Sequence, residues 1–253
     1  MYTHAITRRP APNFASGLTT ANHQRPPDYQ LLLAQHRRYV ETLVDLGLEV
    51  IELPELTEYP DAYFVEDAAV VTPEIAVLTN PGAQSRRGEP DYIATDLAQF
   101  RQTARIREPG RLDGGDVMQV DRHFYIGLSQ RTNPAGAAQL GERLQEFGYA
   151  WTPVPVGDGL HLKSSINYLG GKTLVMAEDF PGKSLFSGYH QILIPGQEAY
   201  AANTLAVNRH LLMPKGFPQT RAKLDGLGMP VVELDVSEVA KMDGGLTCLS
   251  LRF

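Results

Sequence analysis

The chain has a single cysteine, Cys248, close to its C-terminal Phe253. One thiol cannot close an intramolecular disulfide, and it excludes zinc sites built on two or four cysteines. A catalytic thiolate needs no second cysteine, whereas most lone cysteines act as small buried hydrophobes. Cys248 follows Asp243-Gly244-Gly245, and comparable polar clusters stand upstream: Glu66-Asp67, Asp113-Gly114-Gly115-Asp116 and His161-Leu162-Lys163. Several acids, one histidine and one cysteine, far apart in sequence, are the materials of covalent thiol chemistry with an imidazole acid and base. Each also has a plain reading: Asp-Gly pairs are ordinary turn residues, and His161 alone fits a satisfied core histidine.

The charge of such a site points to its ligand. Carboxylates gathered around one pocket repel one another unless a cation lies among them. A guanidinium or amidinium suits this, because its planar N–H forks pair with carboxylates at two points. A metal ion is the rival. Against it, there is no His-x-x-x-His spacing, and an oxygen-only site for Mg²⁺ or Ca²⁺ gives Cys248 no purpose.

What brings the clusters together is a repeat. Each precedes or opens a short apolar run. Asp67 leads into AAVV and IAVLT, Asp116 into VMQV and HFYIG, Ser165 into INYL and TLVMA, and Asn203 into TLAV and HLLMP. The runs are rich in Val, Ile, Leu and Tyr and bounded by turn residues, as hairpin strands are. Further strands are expected at LEVIEL, ARIRE, QILIP and VVELDV, and a fifth copy begins at GGLTCLSLRF, with TCLSLRF read as strand. The N-terminal HAITR has no partner of its own and is expected to complete that fifth copy, closing a ring without open edges. Helices are expected from Asp28 to Gly47 and after Asn133-Pro134, each with a cap residue, and more weakly at PDYIATDLAQFRQ and PQTRAKLDGLG. The expected fold is therefore α/β: a five-bladed pseudo-symmetric propeller of sheets and helices. No linker or charge block divides the chain, so residues 1–253 read as a single domain. In such a ring, equivalent positions converge on the axis.

Composition limits the function classes. The 43% hydrophobic and 21% charged content is that of a globular chain, not a disordered one. A net charge of −6 has the wrong sign for a nucleic-acid binder. No apolar run reaches the length of a membrane span, and the N-terminal MYTHAITRRPAPN has no signal-like apolar stretch, so the cytoplasm is the expected compartment.

Taken together, PDAYFVEDAAVV, SRRGE at Ser85 to Glu89, LDGGDVM, HFYIGLSQRTN, LHLK and DGGLTCLS resemble the dimethylarginine dimethylaminohydrolase family. These guanidine-modifying enzymes belong to the pentein superfamily, whose fold is a five-bladed α/β propeller. The resemblance spans essentially the whole chain in the same order. It implies hydrolysis of Nω-methylated arginines to citrulline, with no metal or organic cofactor. It implies Cys248 as nucleophile and His161 as general acid and base. The resemblance further implies that Asp113, at a position where some relatives carry Glu, holds the histidine and the guanidinium, that Glu66, Asp67 and Asp61 line the pocket, that Arg86 and Arg131 hold the α-carboxylate, and that Leu18 and Met242 contact the amino-acid end through backbone groups. The stretch 16–28 around Leu18 reads as a lid. The implied partner is a small molecule, a methylated arginine; a homodimer stays open, and nucleic acid and membrane are not expected. Alternatives are another arginine-modifying hydrolase such as an arginine deiminase, which is typically larger, and a non-enzymatic pentein binder, for which Cys248, His161 and the acids have no use.

Overall fold

The computed structural model describes residues 1–20, 26–157 and 159–253, so the middle of the expected lid, residues 21–25, lies outside the described residues. The chain forms two compact units, Met1–Val65 with Thr204–Phe253, and Glu66–Asn203. The first unit opens with β1 (His4–Arg8), α1 (Tyr29–Asp45) and β2 (Glu49–Leu53). The second carries β3 (Ala69–Val71), β4 (Ile75–Leu78), α2 (Asp91–Ala98) and β5 (Gln102–Arg105). It continues with β6 (Val117–Val120), β7 (His123–Leu128), α3 (Pro134–Gln145) and β8 (Ala150–Pro155), and then α4 (Leu162–Ser165), β9 (Ile166–Gly170), β10 (Thr173–Ala177) and β11 (His190–Ile194). The first unit resumes with β12 (Leu205–Val207), β13 (His210–Pro214), α5 (Pro218–Asp225), β14 (Val231–Leu234), α6 (Ser237–Lys241) and β15 (Leu251–Arg252).

Among the described residues these strands make five three-stranded sheets. Each has one topology, an antiparallel pair followed by a third strand parallel to the middle one. The expected hairpins are all present. β15 pairs antiparallel with β1 through Ala5↔Arg252 and Ile6↔Leu251, so HAITR completes the last copy as anticipated. LEVIEL, ARIRE, QILIP and VVELDV contribute the parallel third strands, with ARIRE shifted so that β5 begins at Gln102. The fifth, β8, carries Pro153 and Pro155, which hide its strand character; it is an edge strand, where proline is tolerated.

One expectation is corrected. TCLSLRF is not one strand: Thr247–Leu249 form a 3-10 turn and only Leu251–Arg252 are extended. Its β-forming side chains lose to the preceding glycines, and the turn is closed by the Cys248 N–H donating to the Gly245 carbonyl.

The main helices form where caps and apolar periodicity agree. The Asp28 side chain accepts from the Gln30 and Leu31 N–H groups, and α1 buries Leu32, Gln35, His36, Tyr39, Thr42 and Leu43 along one face. α3 has Asn133 accepting from the Gly136 N–H and Pro134 in its first turn. In the 66–203 unit, alternate residues of β7 face opposite cores: Phe124 and Ile126 pack with Val117, Leu140 and Tyr149, whereas Tyr125 packs with Met118, Ile166 and Phe186. The sheet β6–β7–β8 is thus buried on both faces. The turn before β6, which carries Asp113 and Asp116, leads directly into it.

The start of α3 tests the packing. A Cβ at Gly136 would lie 2.1 Å from the Arg111 carbonyl oxygen. Helix propensity alone favours Gly136→Ala by about 1 kcal/mol. The overlap with fixed backbone outweighs it, and we expect net destabilisation of about 1–3 kcal/mol. Urea denaturation reads the sign directly; a stabilised variant would show that this approach is not tight.

Candidate active site

In the 66–203 unit the polar clusters form one buried charge network. Asp67 follows Glu66 on the 3-10 turn Val65–Ala68. Its Oδ1 accepts the Gly115 N–H at 2.9 Å, and its Oδ2 accepts from Arg86 Nη1 at 2.6 Å. Asp113 is fully buried; Oδ1 accepts the Gly82 N–H at 2.8 Å and Oδ2 lies 3.0 Å from His161 Nε2. The same His161 nitrogen is 4.0 Å from Asp67 Oδ1. Arg131 Nη1 stands 4.0 Å from Asp113 Oδ2, and Lys163 Nζ pairs with Glu66 Oε1 at 2.7 Å. The Asp113-Gly114-Gly115 spacing has a direct steric reason, because a Cβ at Gly115 would lie 2.6 Å from His161 Nδ1. Only glycine lets this turn reach the imidazole.

Electrostatics follow from the geometry. Burial alone would pull the His161 imidazole down, but Asp67, the hydrogen bond to Asp113 and the charge of Asp116 outweigh it and push it up to about 9. Burial would raise Asp67, but His161 and Arg86 hold its carboxyl at about 2. At neutral pH the pair is imidazolium and carboxylate. Asp67, Asp113 and His161 also present ligand atoms within 4.8 Å of one another, the spacing of a metal site. The imidazolium already supplies the positive charge there, and a metal would have to displace its proton.

The sequence-derived residues of this unit fall into place unequally. Glu66, Asp67, Asp113 and His161 are buried; His161 links Asp67 and Asp113, and Glu66 pairs with Lys163. The Arg131 side chain is 19% exposed, open enough to meet a ligand. The Arg86 side chain is 5% exposed, and its fork donates to both carboxylate oxygens of Glu89 (2.9 and 2.7 Å) as well as to Asp67. Glu89, Ser129 and Thr132 carry no role in the sequence reading, and Lys163 enters it only as a member of the His161-Leu162-Lys163 cluster. The signal lay in the same short strings SRRGE, LHLK and SQRTN, where polar residues flank the chosen ones without any spacing that marks a role.

In the unit formed by Met1–Val65 and Thr204–Phe253, Asp61 is buried and both its oxygens face the Leu18 N–H, at 3.0 and 3.1 Å. Leu18 itself is exposed. Thr19 donates to the Lys241 carbonyl at 3.0 Å, and Thr20 donates through its hydroxyl to Asp243 Oδ2 at 2.9 Å. The chain beside Leu18 is thereby tied to the turn that leads to Cys248. Met242 is buried at the end of α6, with its N–H on the Val239 carbonyl. Cys248 is half-buried on its 3-10 turn, with Sγ 3.9 Å from the Thr247 hydroxyl. Among the described residues no helix is long and apolar enough to cross a membrane.

The raised imidazole has a stability signature. A group whose pKa is higher folded than unfolded stabilises fully below its unfolded value, about 6.5 for histidine, and the benefit is lost as pH rises toward the folded value. Wild type should therefore lose stability relative to His161→Gln between pH 6.5 and about 9. Urea midpoints of both proteins across that range check it; a flat difference would mean that the imidazole is not held as a cation.

Comparison with known proteins gives this network its family. The model for "N,N dimethylarginine dimethylhydrolase, eukaryotic" matches residues 19–180. The N(G),N(G)-dimethylarginine dimethylaminohydrolase of Pseudomonas aeruginosa is 42% identical over 255 residues, covering 100% of both chains. The enzyme of the same name from Streptomyces coelicolor is 37% identical over 249 residues, covering 98% of this chain and 96% of that one. A solved structure of the Pseudomonas aeruginosa protein, a cysteine-to-serine mutant complexed with citrulline, superimposes with a TM-score of 0.97 at 41% identity and 100% coverage of both chains. With full-length identity at this level and the same five-sheet α/β architecture, the chain belongs to the dimethylarginine dimethylaminohydrolase family.

Proposed function

We propose that this protein hydrolyses Nω-methylated arginines to citrulline and methylamine or dimethylamine, through a covalent intermediate on Cys248. The observation that carries the reading is the buried imidazolium of His161 between Asp67 and Asp113, in a chain of this family. A resting cationic histidine is prepared to act first as an acid, as expulsion of an amine requires. The citrulline complex of the Pseudomonas aeruginosa relative supports citrulline as the product.

In this mechanism residues 1–253 act as a single catalytic domain. The Cys248 thiolate attacks the guanidinium carbon, with the substrate's positive charge favouring ionisation of the thiol. The tetrahedral adduct collapses as His161 gives its proton to the departing amine, leaving an S-alkylthiouronium on Cys248. Neutral His161 then takes a proton from water, which adds to the same carbon; the carbon–sulfur bond breaks as the adduct's hydroxyl proton passes to solvent, citrulline leaves and the thiolate is restored, with His161 again protonated. Asp67 stays anionic throughout and, with Glu66, Asp61 and Asp113, orients the guanidinium. Arg131 binds the α-carboxylate, and the Leu18 and Met242 backbones meet the amino end. For Arg86, the ion pairs with Glu89 and Asp67 favour holding Asp67 in place over contacting the α-carboxylate. The chemistry uses no metal or organic cofactor, and the cytoplasm remains our assigned compartment.

Citrulline release from asymmetric dimethylarginine, monomethylarginine and arginine tests the reading, with arginine as the deiminase substrate. Methylated substrates should be preferred, and Cys248→Ser should abolish turnover; no citrulline from any of the three would overturn the assignment. Arg131→Ala should raise KM for dimethylarginine about tenfold or more, the loss of a charge-assisted hydrogen bond. It should matter far less for S-methylisothiourea, which has no carboxylate. Equal losses on both substrates would move the carboxylate site elsewhere.

A further inference from the structure

Asp116 is fully buried on the turn Gly114–Asp116, yet among the described residues no lysine or arginine forms an ion pair with it. A buried carboxylate with no lysine or arginine paired to it is costly unless every donor around it is well placed. Here the donors come from three different parts of the site. Oδ1 accepts the Leu162 N–H at 2.9 Å, from the residue directly after His161. Oδ2 accepts the Ser129 hydroxyl at 2.6 Å. The Ser129 oxygen in turn accepts the backbone N–H groups of Arg131 (3.0 Å) and Thr132 (3.1 Å). The Thr132 side chain also bonds to the Asp116 carboxylate, and its Oγ1 accepts the Asp113 N–H at 3.2 Å. Gly127 leaves the room, since a Cβ there would lie 2.8 Å from Asp116 Oδ1.

We propose that Asp116 is a positioning residue that ties the backbones beside His161, Arg131 and Asp113 to one buried carboxylate, so that the acid–base group and the carboxylate-binding arginine are set by the same anchor. This rests on the functional reading above, in which His161 moves the proton and Arg131 binds the substrate. An apolar side chain of the same size would pack as well but would leave the Leu162 N–H and the Ser129 hydroxyl without an acceptor. What the carboxylate adds is a common acceptor for one donor from each arm, and a third negative charge near His161, beside Asp67 and Asp113. The other charges of this network are Arg86 with Glu89 on Asp67, Arg131 on Asp113, and Lys163 with Glu66. None of them takes over the link from Leu162 to Ser129.

The arms can be cut one at a time in the full-length protein. Asp116→Asn keeps shape but turns one acceptor into a donor that faces other donors. We expect kcat on dimethylarginine to fall about 10–100-fold, as displacement of a catalytic group by about an ångström does. The His161 titration, followed by imidazole NMR, should move down. Ser129→Ala should act mainly on the arginine arm, with a KM increase of about tenfold on dimethylarginine and a much smaller one on S-methylisothiourea. Thr132→Val should act through Asp113 and lower kcat on both substrates. If Asp116→Asn loses thermal stability while kcat, KM and the His161 titration stay as in wild type, Asp116 serves the fold only and the proposal fails. Should that variant not fold, Ser129→Ala decides: equal KM changes on the two substrates overturn the common anchor. Absence of citrulline from wild type would instead strike the functional reading, and the His161 titration in wild type against Asp116→Asn would still test the anchor.

Discussion

A protonated imidazole buried between two carboxylates is the interaction on which the 66–203 unit depends. Taking each of these ions out of water costs several kcal/mol, and the cost is recovered only when every charge has a partner at close range. The partners are supplied in overlapping pairs: His161 between Asp67 and Asp113, Arg86 between Asp67 and Glu89, Lys163 on Glu66 and Arg131 near Asp113. Five buried acids, counting Asp116, meet four cations. The network therefore keeps an excess of negative charge, which suits a site that takes up a cationic guanidinium.

Such a network places demands on the scaffold. Asp67, Asp113, Asp116 and His161 all stand on turns at the entrance to the first strand of a sheet, and those strands are anchored in cores that leave little freedom to shift. Because the sheets repeat one topology, one structural solution places several chemically different side chains at equivalent positions. Gly115 shows how close the tolerances are, with its backbone against the imidazole it helps to hold. The repeat also explains why Cys248 lies so near the C-terminal strand: it sits on the equivalent turn of the sheet whose middle strand is the N-terminal β1.

The division between arginines follows from solvation. Arg86 and Arg131 are alike in sequence, both flanked by polar residues in short loops. Arg86 is enclosed and its guanidinium plane meets the Glu89 carboxylate at two points, a geometry that stabilises a buried ion pair. Arg131 keeps partial exposure and a long 4.0 Å approach to Asp113, so it retains capacity for an incoming carboxylate.

Much of this was legible in the sequence. Alternating apolar runs with turn residues between them determined the hairpins, Asp28 and Asn133 determined where two helices begin, and the recurrence of acids, His161 and Cys248 at the same point of four of the five repeats marked the chemical positions. These are local properties: strand period, cap chemistry and turn preference act within a few residues. What only the tertiary structure decided were matters of long-range contact. The strand at Ala150–Pro155 exists because an edge tolerates its prolines, and TCLSLRF breaks into a turn and a two-residue strand because its pairing with β1 extends only to Leu251 and Arg252. Likewise, nothing in the spacing of Arg86, Glu89, Ser129, Thr132 and Asp116 distinguishes an enclosed ion pair or a shared acceptor from a solvated surface charge. That distinction is made by burial and by which backbone N–H groups converge on each carboxylate, and those are set only once the sheets have packed.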